Sequence, residues 1–489
     1  MGHIRDIVIA GGGVAGWMSA LALANARAGE RVTLVETGGP DHSLGPFGPA
    51  EATLPEFAAF LIANGIDEDA LMRAARGSFS LGGAFSGWAG EGVTWFLPHG
   101  ETGAPIGPVA FHHLAARLRA GRREVRLADF SLAAVAAQSG RFARPSADRR
   151  SPLSALGYGL HLDRAGFAAL LRDRALAAGV AAHPAPLRAV RLAGDGSIAA
   201  IETGPGEVAG DLFLDCTGPG ALLIGGALGV GFDGWSQWLP CDRAIEWSNA
   251  AEGVPPPYAH SGAFDAGWRR MLPLARGQGE ALVYSSAHLD DAAASAAFGG
   301  AAPVPVAFGR RASFWRRNCV AIGAAAALFD PLHGTALQLV HSALRRLIAL
   351  FPHAADGPEG AEFDRIQLAE ADRARDFLIL HYKTNGRKGD PMWDAARAMA
   401  VPDPLQYKLD LYASRGRLPV YDEELFDRPE WIAVLDGQGV RQRRYDALAD
   451  AIPEPALMQH FGRLREVILQ AAKQLPGHGA ALAAAGVRA

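Results

Sequence analysis

The first residues able to do chemistry lie at the start of the chain. Gly11-Gly12-Gly13-Val14-Ala15-Gly16 follows the apolar run Asp6–Ala10 and precedes a helical run from Trp17. In a GxGxxG loop of this kind Gly11 permits the tight turn, Gly13 lets a pyrophosphate touch the backbone, and Gly16 lets helix and strand pack closely. The opening helical turn, with Val14 and Ala15, offers backbone N–H groups and a positive dipole end to phosphates. Arg31–Glu36 reads as the next strand, and Glu36, 20 residues past Gly16, places a carboxylate where ribose hydroxyls can donate to it. An acid there favours an unphosphorylated ribose, so FAD or NAD over NADP; spacing alone does not choose between those two. Asn318–Ile322 reads as an apolar strand ending at Gly323, with small residues leading to a helix near Thr335. Small residues there let the chain approach a flat ring, or pack as an ordinary buried turn. Asp211–Asp215, closing on Gly218, has the same form.

These segments need elements to position them, and 489 residues suffice for a two-lobed enzyme or two to three domains. Hydrophobic residues at 49% and charged residues at 20% fit a globular chain. Lys+Arg 47 against Asp+Glu 51 argues against a nucleic-acid binder, and the arginine pairs are scattered rather than striped. Cys216, Cys241 and Cys319 are too few for a disulfide framework and too dispersed for zinc, so no metal is expected and a reducing, cytoplasmic setting fits. Arg5 and Asp6 interrupt any signal-peptide pattern, and the longest uncharged run, Cys216–Phe232, is too short and Gly-rich for a membrane span. Asp163 reads as the N-cap of a helix over Arg164–Ala178. Trp17 is expected to pack under the first helix, and Phe79, Phe85, Trp88, Trp95 and Phe96 to form strand core. His99, His112 and His113 read as surface or helix-start histidines. Helical periodicity dominates from residue 351 onward, as in Glu362–Leu380 and Met458–Leu475, with an Ala-rich tail over 479–489 expected to fray.

At this point the motifs resemble a known family. Gly11–Trp17 (GGGVAGW) resembles the GxGxxGW opening of the flavin-dependent tryptophan halogenases. Gly48–Pro55 (GPAEATLP) is similar to their GVGEATxP, with Ala50 in place of a Gly and Glu51 retained. Tyr158–Asp163, Asp211–Gly218, Trp238–Ala244, Trp315–Gly323, Asp330–Leu332 and Leu475–His478 resemble the family's YxxHxD, DLFxDCTG, WLPxDRA, NCVAIG, EPL and MPxH segments. The resemblance implies an α/β, glutathione-reductase-like FAD-binding fold with a mixed-sheet substrate lobe and a helical C-terminal region. Residues 1–60, 151–230 and 306–350 would form the FAD-binding lobe, 61–150 and 231–305 the substrate lobe, and 351–489 the helical region. It selects FAD as the cofactor, with Ala50, Glu51, Gly323, Phe329, Asp330, Pro331 and Leu332 joining the glycine loop in holding it. It implies two-component chemistry, in which a separate flavin reductase supplies reduced FAD. With O2, chloride or bromide then becomes hypohalous acid, which reaches a small aromatic, indole-like substrate through a tunnel. A homodimer is compatible with this picture.

Three departures bear on that chemistry. Ser80 stands where the family holds the Lys that contacts hypohalous acid, and it can neither carry a positive charge nor form a haloamine; Arg73 and Arg76 are the cations nearby in sequence. His333 stands where the family holds the Glu of EPLEST; it can act as a general base but supplies no fixed negative charge. Thr335 and Ala336 fall where the family cradles halide with backbone N–H groups. The family's WxWxIP appears as Trp268-Arg269-Arg270-Met271-Leu272-Pro273, so Trp268 remains and Arg270 replaces the second Trp, facing either an acidic substrate or a local carboxylate. The expectation is an FAD-dependent oxidoreductase with Ser80, His333, Thr335 and Trp268 as candidate catalytic residues. The alternatives are a flavin monooxygenase or oxidase without halogenation, or a non-catalytic flavin-binding relative.

Overall fold

A computed structural model describes residues 3–354 and 357–488. The apolar N-terminal run forms a strand, Asp6–Ala10, at the heart of a six-stranded sheet. Leu212–Asp215 lies parallel on one side of it and Arg31–Glu36 on the other, with Cys319–Ala321 and Ala181–Pro184 extending the sheet outward. Ile7, Val8 and Ile9 are buried on both faces, as a central parallel strand requires. The first helix, Val14–Ala26, packs on the helix Arg164–Ala177. Asp163 caps the latter by accepting from the Gly166 N–H at 2.8 Å, as the sequence suggests.

A second, seven-stranded sheet carries the other half of the molecule. Its order runs from Val304–Pro305 through Arg243–Asn249, Gln278–Tyr284, Gly267–Pro273, Ala259–Phe264 and Gly82–Ser86 to Thr94–Pro98. All its pairs are antiparallel except Ala259–Phe264 against Gly82–Ser86, so the sheet is mixed. Between the two large sheets, Gly159–Asp163 is the middle strand of a small antiparallel sheet, with Ala50–Ala52 on one edge and Ser78–Ser80 on the other. This three-stranded layer brings the GPAEATLP, YxxHxD-like and Ser80 segments together. The C-terminal region is helical, with long helices at Pro358–Lys383 and Glu454–Gln474.

The tail departs from expectation. His478–Ala484 is a helix, Leu482 and Ala485 are buried, and Arg73 donates to the Ala485 carbonyl at 3.0 Å. Alanine-rich sequence frays when it has nothing to pack on; here apolar side chains every few residues meet the body of the protein. The three cysteines are free and buried. Among the described residues no helix is long and apolar enough to cross a membrane, and no group of His, Cys, Asp or Glu could hold a metal ion.

Candidate functional site

The glycine loop is built as its sequence demands. Gly11 has φ +115°, and a Cβ on it would strike the Cys216 carbonyl on the neighbouring strand. A Cβ on Gly16 would strike the Gly11 carbonyl, so helix and loop touch only because both positions lack side chains. Beside the loop lies a cavity of about 650 Å³, reached by Gly12, Gly13, Glu36, Thr217, Arg311 and Ala324. Glu36 sits at its edge, 3.4 Å from Arg172. Gly323, at φ +68° against Ser43 and Ala15, leads onward into a smaller cleft with Ala324, Phe329 and Ala336. The cavity's volume, glycine floor and acidic edge fit a dinucleotide.

One arrangement at the loop was not foreseen. Gly13 offers no side-chain cap to the first helix. Asp41 accepts from the Val14 N–H at 3.0 Å, and Ser43 accepts from the Ala15 N–H at 3.1 Å. Asp41 is thereby a stand-in anion at the positive end of the helix dipole, in the place a pyrophosphate takes in such a loop. Its segment is tethered, because Arg164 donates to the Asp41 carbonyl at 2.7 Å.

Glu51 is not aimed into this cavity. Its carboxylate forms a buried ion pair with Arg164, and Ala50 pairs in the small sheet with Asp163. Arg270 is also buried, and its hydrogen bonds go to carbonyl groups rather than to a carboxylate, although Glu51, Asp330 and Glu246 are close enough to act on its charge. It donates to the carbonyls of Phe47 and Ala50, and to that of Pro331 at 3.1 Å. The residue that replaces a family Trp therefore clamps the 47–50 strap to the Asp330–His333 segment. Arg73 and Arg76 are engaged elsewhere, on the Ala485 carbonyl and on Asp163.

The Asp330–Thr335 segment holds the remaining candidates. Asp330 is fully buried and accepts from the Tyr382 hydroxyl at 2.6 Å; Trp268 donates its indole N–H to the same hydroxyl at 3.0 Å. Burial pushes the Asp330 carboxyl up to about 7, against the opposing pull of Tyr382. Leu332 is buried beside it. His333 Nε2 lies 3.2 Å from His381 Nε2, while His381 Nδ1 lies 2.9 Å from the Phe377 carbonyl. A carbonyl only accepts, so His381 carries its proton on Nδ1 and presents a lone pair at Nε2. His333 must then donate from Nε2, which leaves a lone pair on its Nδ1. Burial, with the neighbouring His381 and His99, holds His333 well below its ordinary 6.5, so it is neutral at physiological pH. Thr335 opens the helix Thr335–Ala349; Gly334 gives that helix no side-chain cap, and the buried Thr335 hydroxyl has no hydrogen-bond partner among the described residues.

Ser80 lies in the small sheet opposite Gly159, with its hydroxyl donating to the Gly82 carbonyl at 3.2 Å. A Cβ on Gly159 would strike Thr53, and one on Gly334 would strike Ala52. His99 is half-buried and does not start a helix. It follows the strand Thr94–Pro98, its N–H donates to the Leu81 carbonyl at 2.9 Å, and burial holds its ring down to about 4. His112 and His113 do sit in the first turn of a helix, Phe111–Ala120. No lysine reaches Ser80: Lys383 binds the carbonyls of Arg397 and Met399, Lys408 pairs with Glu424, and Lys388 and Lys473 are exposed. His381, Tyr382 and Asp41 escape a reading by motif. The one sequence signal for the first two is the uncharged run Phe377–Tyr382 ending an otherwise charged helix.

A largely parallel sheet with a glycine loop, and a mixed sheet whose Trp268 and Phe85 meet a buried cluster of Asp330, His333, His381 and Tyr382, define an α/β flavoprotein. The family model described as tryptophan halogenase matches residues 6–454, and the chain belongs to that family. BrvH, a flavin-dependent halogenase from Brevundimonas sp. BAL3, is 36% identical, with 99% of each chain covered and a TM-score of 0.93. Xcc4156, a flavin-dependent halogenase from Xanthomonas campestris, is 33% identical over 99% of this chain and 98% of its own, also with a TM-score of 0.93. The tryptophan 6-halogenase SttH of Streptomyces toxytricini is 29% identical over 99% of this chain and 98% of its own length. Flavin-dependent halogenases use FAD, reduced by a separate reductase.

Proposed function

We propose that this chain is an FAD-dependent oxidoreductase that takes reduced FAD from a separate reductase and acts with O2 on a small aromatic substrate, without an ammonium group in the transfer step. Bound reduced FAD supplies the electrons that activate O2. The residues of the glycine loop, with Glu36 and Gly323, bind and orient the cofactor, and Asp41 on the Val14 N–H and Ser43 on the Ala15 N–H yield their places to the pyrophosphate. Thr335, with the free N–H groups of its helix, offers a site for chloride or bromide. His333 Nδ1 accepts the proton that an aromatic carbon loses on substitution, and His381 fixes the tautomer that makes this possible.

The observation that carries the reading is the His333–His381 pair, set directly before the uncapped start of the Thr335 helix in a chain whose dinucleotide loop is complete. Ser80 favours the second reading, oxygenation or oxidation without halogenation, because a serine cannot capture hypohalous acid. The test is turnover of an indole panel with reduced FAD, air and bromide, read by mass spectrometry. Products heavier by bromine, or by one oxygen, support the enzyme reading and tell its two forms apart. FAD retention with no product from any aromatic would leave the non-catalytic relative as the answer. Ser80→Lys combined with His333→Glu should raise brominated product if the tunnel persists.

A further inference from the structure

The helix Thr335–Ala349 shows one anomaly three times. Thr335 Oγ1, Gln338 Oε1 and His341 Nδ1 are buried, and none has a hydrogen-bond partner among the described residues. Buried polar groups in folded proteins are nearly always paired, with protein or with ordered water. These three stand at i, i+3 and i+6, so they form one ridge, each about 4.5 Å further along the helix axis than the last. One or two bridging waters span such a step at ordinary hydrogen-bond lengths.

The neighbouring stripes of the helix differ. Ala336, Leu339 and Ala343 line the small apolar cleft with Gly323 and Phe329. Ser342 is polar but paired, donating to Glu370 at 2.6 Å. The ridge itself lies against residues 52–60. A Cβ on Gly334 would strike the Ala52 carbonyl, the turn Pro55–Phe57 packs on the helix, and His341 meets Phe60 edge-on at 5.8 Å and Phe57 at 6.4 Å. Exposure rises outward, from 1% at Thr335 through 8% at Gln338 to 9% at His341, with Arg345 exposed one turn beyond. The inner end is two residues from His333. Burial, with Arg345 adding to it, holds His341 down to about 4. Its ring is therefore neutral and has one N–H and one lone pair, the two ends that a relay needs.

We infer that this ridge holds a file of ordered waters from Thr335 to His341, by which the proton taken up at His333 Nδ1 leaves for bulk solvent. The identity of the proton rests on the function proposed above; the waters rest on the ridge alone. The aromatic carbon gives its proton to His333 Nδ1, and the first water accepts it from there. At the outer end His341 accepts a proton at Nδ1 and releases one from Nε2, so both histidines return to neutral and no electrons move. Gln338 keeps the waters in line without titrating. A hydroxyl both donates and accepts, so Thr335 can hold a halide and a water together.

A crystal structure of the full chain that shows ordered water should place one within about 3.2 Å of each of the three atoms; a ridge without water would overturn the inference. Gln338→Leu keeps the size and removes the acceptor. On a hydrated ridge it leaves the urea midpoint unchanged or lower. On a dry ridge it removes an unpaired polar group and raises the midpoint, which would overturn the waters. With reduced FAD, air and bromide, Gln338→Leu and His341→Ala should each lower kcat for indole about tenfold, leave KM within about twofold and raise the solvent deuterium isotope effect on kcat. Added imidazole should restore His341→Ala. An unchanged kcat, or a lower one with the isotope effect of the parent, would overturn the proton route. FAD titrations matching the parent confirm that the variants fold. A parent chain that turns over no aromatic would overturn the enzyme reading and the proton with it, while the crystal structure and the urea midpoint still decide the waters.

Discussion

At the residue scale, the pivotal group is one carboxylate. Asp41 occupies the helix end proposed above for the pyrophosphate of FAD, and two anions a few ångströms apart repel by about 1 to 4 kcal/mol, depending on how wet the site is. Asp41→Asn keeps a side chain able to cap the helix and removes the charge. It is expected to tighten FAD binding roughly tenfold in a flavin-fluorescence titration; unchanged or weaker binding would show that the pyrophosphate lies elsewhere. The glycine loop and Glu36 were legible in the sequence because each glycine answers a local backbone demand. Asp41 was not, because a capping side chain from outside the helix leaves no periodic signal. Ser80 and His333 were legible as substitutions within motifs, whereas His381 becomes visible only when a distant helix is brought against His333.

At the scale of elements, strands and helices with local causes were readable: Arg31–Glu36, the Asp163-capped helix and the helix starting at Thr335 fall where their sequences put them. The pairings were not, since nothing local tells Ala50–Ala52 and Ser78–Ser80 that they share Gly159–Asp163 as a neighbour. The tail was misread for the same reason. His478 lies within 3.3 Å of the Phe79 N–H, which it accepts through Nε2, and its Nδ1 donates to the Pro255 carbonyl at 2.6 Å. The C-terminal motif therefore holds the strand that ends at Ser80. His478→Ala leaves both backbone groups without that partner and should cost about 2 kcal/mol, seen as a lower urea midpoint. A midpoint within error of the parent would show that the tail contributes nothing to this strand.

At the scale of the whole molecule, buried titratable groups set the response to pH. Burial holds His99, His112 and His341 at about 4 and His161 and His381 at about 3, with His333 also well below 6.5. Each is neutral when folded and takes a proton on unfolding below pH 6.5. Its contribution is therefore present above 6.5 and lost as pH falls, at ~1.4 kcal/mol per pH unit for each group. Burial raises Asp330 to about 7, Asp376 to about 6 and Glu430 to about 8, and these act in the opposite sense. Their contribution is full below about 4 and fades as pH rises through those values. Burial likewise holds His113, His260 and His478 down and Glu56, Asp215 and Asp364 up, so nine histidines outweigh six acids below 6.5, and above it the acids alone still change. The thermal midpoint should peak near pH 7 and fall more steeply toward acid than toward base; a midpoint that rises from pH 7 to pH 5 would contradict this balance.

On the proposed reading the chain holds FAD at its glycine loop beside a transfer site that has a neutral histidine pair instead of an ammonium. A crystal structure grown with FAD and bromide tests it most directly. The expected result is the pyrophosphate on the Val14 and Ala15 N–H groups with Asp41 and Ser43 displaced, bromide at Thr335, and His333 still bonded to His381. Asp41 still capping the helix at saturating FAD, or a lysine side chain beside Ser80, would contradict it.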